Sequence, residues 1–134
     1  MKLFAFVKRK EGMTHEEFLD YWRNSHGPLI RDTPALADRT LRYVQHAVSE
    51  QDGSGFDGVA VQEFASWDDF LAMLQGPAGD AMRADEANFL DSSSIKVVFT
   101  DDAVVMIDHN GTATATGTGT GTGTGSVAPG EVAP

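Results

Sequence analysis

The sequence contains no cysteine, which excludes a disulfide framework, a thiolate metal site and a cysteine nucleophile. Basic residues are scarce, because 10 Lys and Arg stand against 20 Asp and Glu and the formal net charge is −10. Binding to a phosphate backbone requires a basic surface that releases counterions. Neither a nucleic acid nor an anionic membrane surface is therefore an expected partner.

Long apolar runs are also missing. The N-terminal segment MKLFAFVKRK has an apolar run of five residues, which is shorter than the core of a signal peptide. No window is long and apolar enough to cross a bilayer. We therefore expect a soluble cytoplasmic protein without a membrane segment.

The composition changes at Gly111, after which threonine occupies every even position from 112 to 124 between Ala and Gly residues. Such a segment has almost no hydrophobic surface to offset the entropy of ordering it. We predict one folded domain over residues 1–109 and a disordered Thr/Gly-rich tail over residues 110–134.

The patterns within 1–109 predict the order β-α-β-β-α-β. The first helix is expected to follow a capping box of Thr14 and Glu17 and to end near Ser25, where Gly27 and Pro28 interrupt it. The other predicted elements are strands at 2–8, 41–50 and 59–64, a helix at FLAML that GPAG breaks, a helical segment at 80–90, and β runs at IKVVFT and AVVMID. This order indicates an α+β, ferredoxin-like βαββαβ fold, an antiparallel sheet with helices on one face. The uncovered face is apolar, so we expect a homodimer.

His26 is the first candidate for a functional side chain. Helical spacing places Phe18, Trp22, Ser25 and Leu29 on one stripe, and His26 lies at its edge, facing the sheet. It is either a half-buried histidine satisfied by a carbonyl at the helix end or a general acid/base, since histidine titrates near neutrality.

Four segments in order resemble the EthD family: VKRKEGMTHEEFLDYWRNSHGPLI, RYVQH, FDGVAVQEF and ADEANFLD. The resemblance covers the whole predicted domain and implies the dimeric α+β barrel superfamily. It also implies a small, cofactor-free protein of aromatic catabolism or polyketide biosynthesis, whose substrate lies between helices and sheet. By this resemblance His26 is the catalytic acid/base, with Tyr43 as its second catalytic group.

The predicted function is a cofactor-free lyase or isomerase, dehydratase-like, that moves a proton on an aromatic, lactone or polyketide-derived molecule. The Tyr43 phenol would bind the developing oxyanion, and apolar walls would suit an apolar or aromatic substrate: Phe18, Trp22, Phe64 and Phe89. A cofactor-independent anthrone-type monooxygenase and a non-catalytic small-molecule-binding accessory protein are the alternatives.

Other polar residues have simpler explanations in the sequence. Asp57 precedes a glycine and suits a turn, Asp85 and Asp91 suit capping or surface roles, and His15 should be solvated. No set of two histidines and a carboxylate has the spacing of metal ligands, so we expect no metal.

Overall fold

The computed structural model describes residues 1–110. Most of the predicted tail, residues 111–134, lies outside the described residues. The strands are β1 (Lys2–Val7), β2 (Arg42–Ala47), β3 (Gly58–Glu63) and β4 (Lys96–Thr100). The helices are α1 (His15–Tyr21), α2 (Gly27–Arg31), α3 (Pro34–Ala37), α4 (Trp67–Leu74) and α5 (Gly76–Glu86), with a π turn at Trp22–His26 and a 3₁₀ turn at Ser92–Ser94.

The four strands form one sheet in the order β2-β3-β1-β4, and every neighbouring pair is antiparallel. This is the ferredoxin-like arrangement that the element order predicted, so the α+β fold class is confirmed. Leu3 and Val7 of β1 are buried in the core beneath the helices. Phe4 and Phe6 alternate with them and therefore lie on the opposite face.

Met1–Thr100 forms a compact unit with two hydrophobic clusters. The first is built around Leu3, Ile30, Leu36, Phe64, Phe70, Met73 and Met82, and the second around Val7, Phe18, Trp22, Ala60, Phe89 and Leu90. Tyr43 packs against both clusters. No helix among the described residues is long and apolar enough to cross a membrane.

The first helical region keeps its predicted start but not its predicted end. The Thr14 hydroxyl accepts from the Glu17 amide, and the Glu17 carboxylate accepts from the Thr14 amide, which completes the capping box. The prediction that Gly27 and Pro28 stop the helix is wrong, because the chain passes through the π turn into α2. Pro28 lies in the first turn of α2, where its fixed φ suits the helix.

The π turn also corrects the predicted stripe. Positions four apart on an α-helix drift by about 40° per step, so Ile30 would lie about 120° from Phe18 after three steps. One extra residue in the π turn absorbs most of that drift. The same face of the helical region is therefore buried along its length, at Phe18, Trp22, His26 and Ile30, whereas Ser25 is exposed.

The second half of the chain differs from prediction in two places. The predicted break is present, because α4 ends at Leu74 and Gln75 is extended, but GPAG itself begins α5, with Pro77 in the first turn. Phe89 and Leu90 lie beyond the end of α5. AVVMID forms no strand: residues 101–110, taken by themselves, contain no helix or strand, and residues 104–107 are exposed. β-propensity alone does not make a strand where no ladder partner is available.

Candidate active site

His26 is held by a carboxylate from the other half of the chain. Its side chain retains 6% of its surface, and its Nδ1 lies 2.8 Å from Oδ2 of Asp85 on α5. An ionised carboxylate only accepts hydrogen bonds, so Nδ1 carries the proton and donates it to Asp85. The lone pair is then on Nε2, which makes this nitrogen the basic one.

The His26 Nε2 atom makes no hydrogen bond within the described residues. Within residues 1–110, Gln62 Nε2 is the one side-chain nitrogen or oxygen that is fully buried and has no hydrogen-bond partner. The unpartnered Nε2 of His26 therefore belongs to the small part of the ring that solvent reaches. No hydrogen bond from the described residues occupies this nitrogen.

Two further side chains fix the Asp85 carboxylate. The Tyr21 hydroxyl donates to Asp85 Oδ1 at 2.6 Å, and the Asn88 amide donates to the same oxygen at 3.1 Å. Asn88 also donates to the Tyr21 oxygen at 3.1 Å. The carboxylate therefore presents Oδ2 to His26 while Oδ1 is occupied by two donors.

The pKa shifts of this group keep the histidine neutral and the carboxylate charged. Burial lowers the pKa of His26 below its ordinary value, although Asp85 acts in the opposite direction. Burial would raise the pKa of Asp85, but hydrogen bonds from Tyr21, His26 and Asn88 outweigh it and the pKa is lowered. The hydrogen bond to Asp85 raises the pKa of the Tyr21 phenol. At neutral pH the group is a neutral imidazole held by a carboxylate, which is the protonation state of a general base.

Aromatic rings enclose one side of this group. The Phe89 ring lies 4.8 Å from the His26 ring and 5.1 Å from the Tyr21 ring, between centroids. Phe18 packs on Trp22 at 5.2 Å and on Phe89 at 5.7 Å. The structure therefore brings three of the four predicted wall residues into one cluster with His26 beside it. Phe18, Trp22 and Phe89 are each at most 2% exposed and belong to the core, so their predicted contact with a substrate gains no geometric support.

Phe64 is not part of this cluster. It is 1% exposed and packs against Phe70 at 5.4 Å in the other hydrophobic cluster. Its neighbours in the structure are core side chains, so its predicted contact with a substrate gains no geometric support.

No hydrogen bond or ring contact joins Tyr43 to His26 among the described residues. The Tyr43 hydroxyl accepts a hydrogen bond at 2.9 Å from Gln45 Nε2, which also donates to the Trp22 carbonyl at 2.9 Å. Burial raises the pKa of the Tyr43 phenol, against the lowering effect of the bond from Gln45. The phenol keeps its proton at neutral pH and can donate it to an oxygen of a ligand.

A cavity of about 540 Å³ lies beside Tyr43 along the edge strand β2. Its lining residues come from the helical stretch and from β2 with the segment before it: Arg23, Gly27, Pro28, Ile30, Arg31, Ala37, Thr40, Tyr43, Val44 and Gln45. The cavity lies within the size range of small-molecule sites. His26 is not among its lining residues, although Gly27, the next residue in the chain, is.

A second ionic cluster corrects two expectations about polar residues. Asp57 is 2% exposed and accepts from the Arg9 amide at 2.8 Å and the Arg9 guanidinium at 2.7 Å. His15 Nδ1 lies 2.8 Å from the same carboxylate, so His15 is paired instead of freely solvated. Asp57 therefore ties the start of α1 to the end of β1, which is more than a turn requires. No described group of three His, Asp or Glu side chains is placed to hold a metal ion.

Asp85 is the functional candidate that the sequence reading missed. The sequence predicts a capping or surface role for Asp85, in the last helical segment beside Phe89; in the structure Asp85 precedes the end of α5 by one residue. Asp85 and Phe89 are four residues apart and both meet the Tyr21–His26 stretch. Two signals were available in the sequence: this four-residue spacing, and the position of Asp85 in the family-like segment ADEANFLD. Neither identifies His26 as the partner, because the pairing spans 59 residues of sequence.

Comparison with known proteins agrees with this architecture. The EthD domain family matches residues 10–93. An ethyl tert-butyl ether D (EthD) family protein from Bacillus halodurans C-125 has a TM-score of 0.60 at 17% identity, covering 76% of this chain and 97% of that one. A dimeric protein of unknown function and ferredoxin-like fold from Bacteroides fragilis has a TM-score of 0.56 at 21% identity. The match covers 72% of this chain and 90% of that one.

The hydroxynitrile lyase from Passiflora edulis has a TM-score of 0.56 at 16% identity, covering 72% of this chain and 87% of that chain. At these identities the likeness to solved structures shows the fold alone. No curated protein sequence matches the chain significantly.

Proposed function

The chain belongs to the EthD domain family, and we propose that it is an enzyme of the lyase or isomerase type in which His26 moves a proton on a small molecule. The observation that carries the proposal is the 2.8 Å contact between His26 Nδ1 and Asp85. This contact places the lone pair on an unpartnered Nε2 atom, as a general base requires.

The proposed step is abstraction of a proton from carbon next to a carbonyl group. The C–H bond breaks, the proton passes to His26 Nε2, and the electron pair moves into the carbonyl to form an enolate. Return of the proton to another carbon gives an isomer, and loss of a β-hydroxyl with a proton gives a dehydrated product. Aromatic, lactone and polyketide-derived molecules all offer such carbon acids, and the half-buried Tyr21 ring, stacked on Phe89, offers apolar surface to their bodies.

The proposal is tested by proton exchange without knowledge of the natural substrate. The protein in D₂O is incubated with an aryl methyl ketone, an unsaturated lactone and a β-diketone, and loss of the α-proton signal is followed by NMR. We expect exchange above the buffer blank for at least one compound. The rate should rise with pH through an inflection below 6.5, because burial lowers the pKa of His26 from that value. No exchange above the blank with any compound, or a rate without that inflection, would reject the proposal.

Binding without turnover is the second candidate, and one observation favours it. The cavity along β2 presents Tyr43 and Gln45 to a ligand but is not lined by His26. Saturable binding of the test compounds, with no exchange, would support this accessory role over the enzymatic one.

We further propose that the protein is a homodimer through the uncovered face of the sheet. Phe4 lies opposite Val61 and Val98, and Val61 lies opposite Val44, so an apolar row crosses all four strands. Val98 retains 49% of its surface in the single chain, and burying such a row in a two-fold contact is favourable. Light scattering should give the mass of two chains, and Val98→Asp should give one. A wild-type mass of one chain would reject the proposal.

A further inference from the structure

The cavity along β2 differs in charge from the rest of the protein. The chain carries 20 acidic and 10 basic residues, yet the residues that line the cavity include two arginines, Arg23 and Arg31, and no Asp or Glu. A concave surface lined by one sign of charge raises the local concentration of the opposite ion. Arg31 is paired with Asp32, and the Glu86 carboxylate acts on the Tyr43 phenol, whose pKa it raises, so the attraction of this cavity for an anion depends on Arg23.

Only one of the two arginines already has a partner. Arg31 makes two parallel hydrogen bonds to the Asp32 carboxylate, at 2.8 and 2.9 Å. Arg23 makes no ion pair or hydrogen bond within residues 1–110. Its planar guanidinium is therefore free to bind a second planar group with two hydrogen bonds.

Neutral groups also line the cavity. Tyr43 and Gln45 face the cavity, and the Tyr43 hydroxyl accepts from Gln45, which leaves the hydroxyl proton for a ligand. Ile30 and Val44 supply apolar surface. A ligand with one anionic end and an aromatic body would meet a complementary group at each point.

We propose that this cavity binds a small aromatic carboxylate, and that Arg23 is the residue that selects the carboxylate. A single unpaired guanidinium matches the charge and shape of one carboxylate, whereas a doubly charged phosphate would keep a charge uncompensated. The volume of about 540 Å³ admits one or two fused rings. The inference rests on the proposed function only in taking the ligand to be a small molecule, since His26 does not line the cavity.

The test compares 1-naphthoate with its neutral analogue 1-naphthamide by isothermal titration calorimetry on the full chain. We expect naphthoate to bind more tightly. Arg23→Gln should weaken naphthoate binding by about 3- to 10-fold, which is the effect of a charged hydrogen bond reduced by exposure. The same variant should leave naphthamide binding unchanged.

Arg42→Gln is the matched control. Arg42 is exposed on β2, lies outside the cavity lining and makes no ion pair within the described residues. The substitution removes the same charge and should change naphthoate binding by less than about twofold. Equal losses in the two variants would attribute the effect to net charge and overturn the inference.

Two other results would overturn the inference: equal binding of naphthoate and naphthamide, or no binding of either. The proposed enzymatic function fails separately. If naphthoate binds through Arg23 while no carbon acid exchanges its proton, the cavity assignment stands and the role of His26 is rejected. If exchange occurs but Arg23→Gln leaves naphthoate binding unchanged, the proposed role of His26 stands and the cavity assignment is rejected.

Discussion

Replacing His26 with glutamine is expected to lower the rate of α-proton exchange by about 10²- to 10⁴-fold, the usual contribution of a general base. In the wild type, Asp85 accepts a hydrogen bond from His26 Nδ1 at 2.8 Å. Glutamine is polar and of similar length, so it can still donate a hydrogen bond to Asp85. It has no basic nitrogen at neutral pH. The loss should therefore appear in the proton-transfer step, measured as NMR exchange in D₂O.

His109→Gln is the control for this variant, because His109 is an exposed histidine within the described residues. Its exchange rate should equal that of the wild type. Circular dichroism and the native mass should be the same for the wild type and both variants. Wild-type exchange by a folded His26→Gln protein would contradict a catalytic His26 and leave the histidine as a packing residue.

The pH dependence of stability gives an independent reading of the His26 protonation state. Because burial lowers the folded-state pKa of His26 below 6.5, the unfolded chain binds more protons than the folded chain between the lowered pKa and 6.5. The free energy of unfolding then rises with pH across that window, and the increase is complete above pH 6.5. His26→Gln should remove this part of the slope in urea unfolding, whereas His109→Gln should retain it.

Much of the scaffold was predictable because it depends on local sequence patterns. The capping box of Thr14 and Glu17 sets the start of α1, and alternation in VAVQEF sets β3. Once the order of strands and helices is known, few topologies are available. The ferredoxin-like sheet therefore followed from short-range signals.

The helix end and the site depended on contacts that short-range signals do not contain. Gly27 and Pro28 indicate a helix end by propensity, yet the π turn carries the chain past them, and the Trp22 carbonyl accepts from both Gly27 and Gln45. The partner of His26 lies 59 residues away. Periodicity could place His26 at the edge of a buried stripe but could not identify which carboxylate meets it.

Asp85→Asn is expected to lower the exchange rate by about 10- to 10²-fold, although the base itself remains. Oδ1 of Asp85 accepts from Tyr21 at 2.6 Å and from Asn88 at 3.1 Å. In the variant these two donors should keep the amide oxygen on their side. The amide nitrogen then faces His26 and donates to Nδ1, which moves the ring proton to Nε2.

The variant therefore changes the base in two ways. The tautomer with Nε2–H has no lone pair at the reacting nitrogen, and loss of the carboxylate removes the interaction that raises the pKa of His26. NMR of the histidine ring nitrogens should report the change of tautomer directly. That readout separates a positioning role of Asp85 from a loss of fold.

Asp80→Asn supplies the matched control on the same helix. Asp80 is exposed and pairs with Arg83 at 2.7 Å, so its substitution removes an equal charge from α5 far from any contact with His26. We expect wild-type exchange and an Nδ1–H tautomer in Asp80→Asn. If Asp85→Asn also keeps both, the hydrogen bond to Asp85 does not set the basic nitrogen. Catalysis by His26 would then need another group to orient the ring, and none lies at hydrogen-bond distance from it among the described residues.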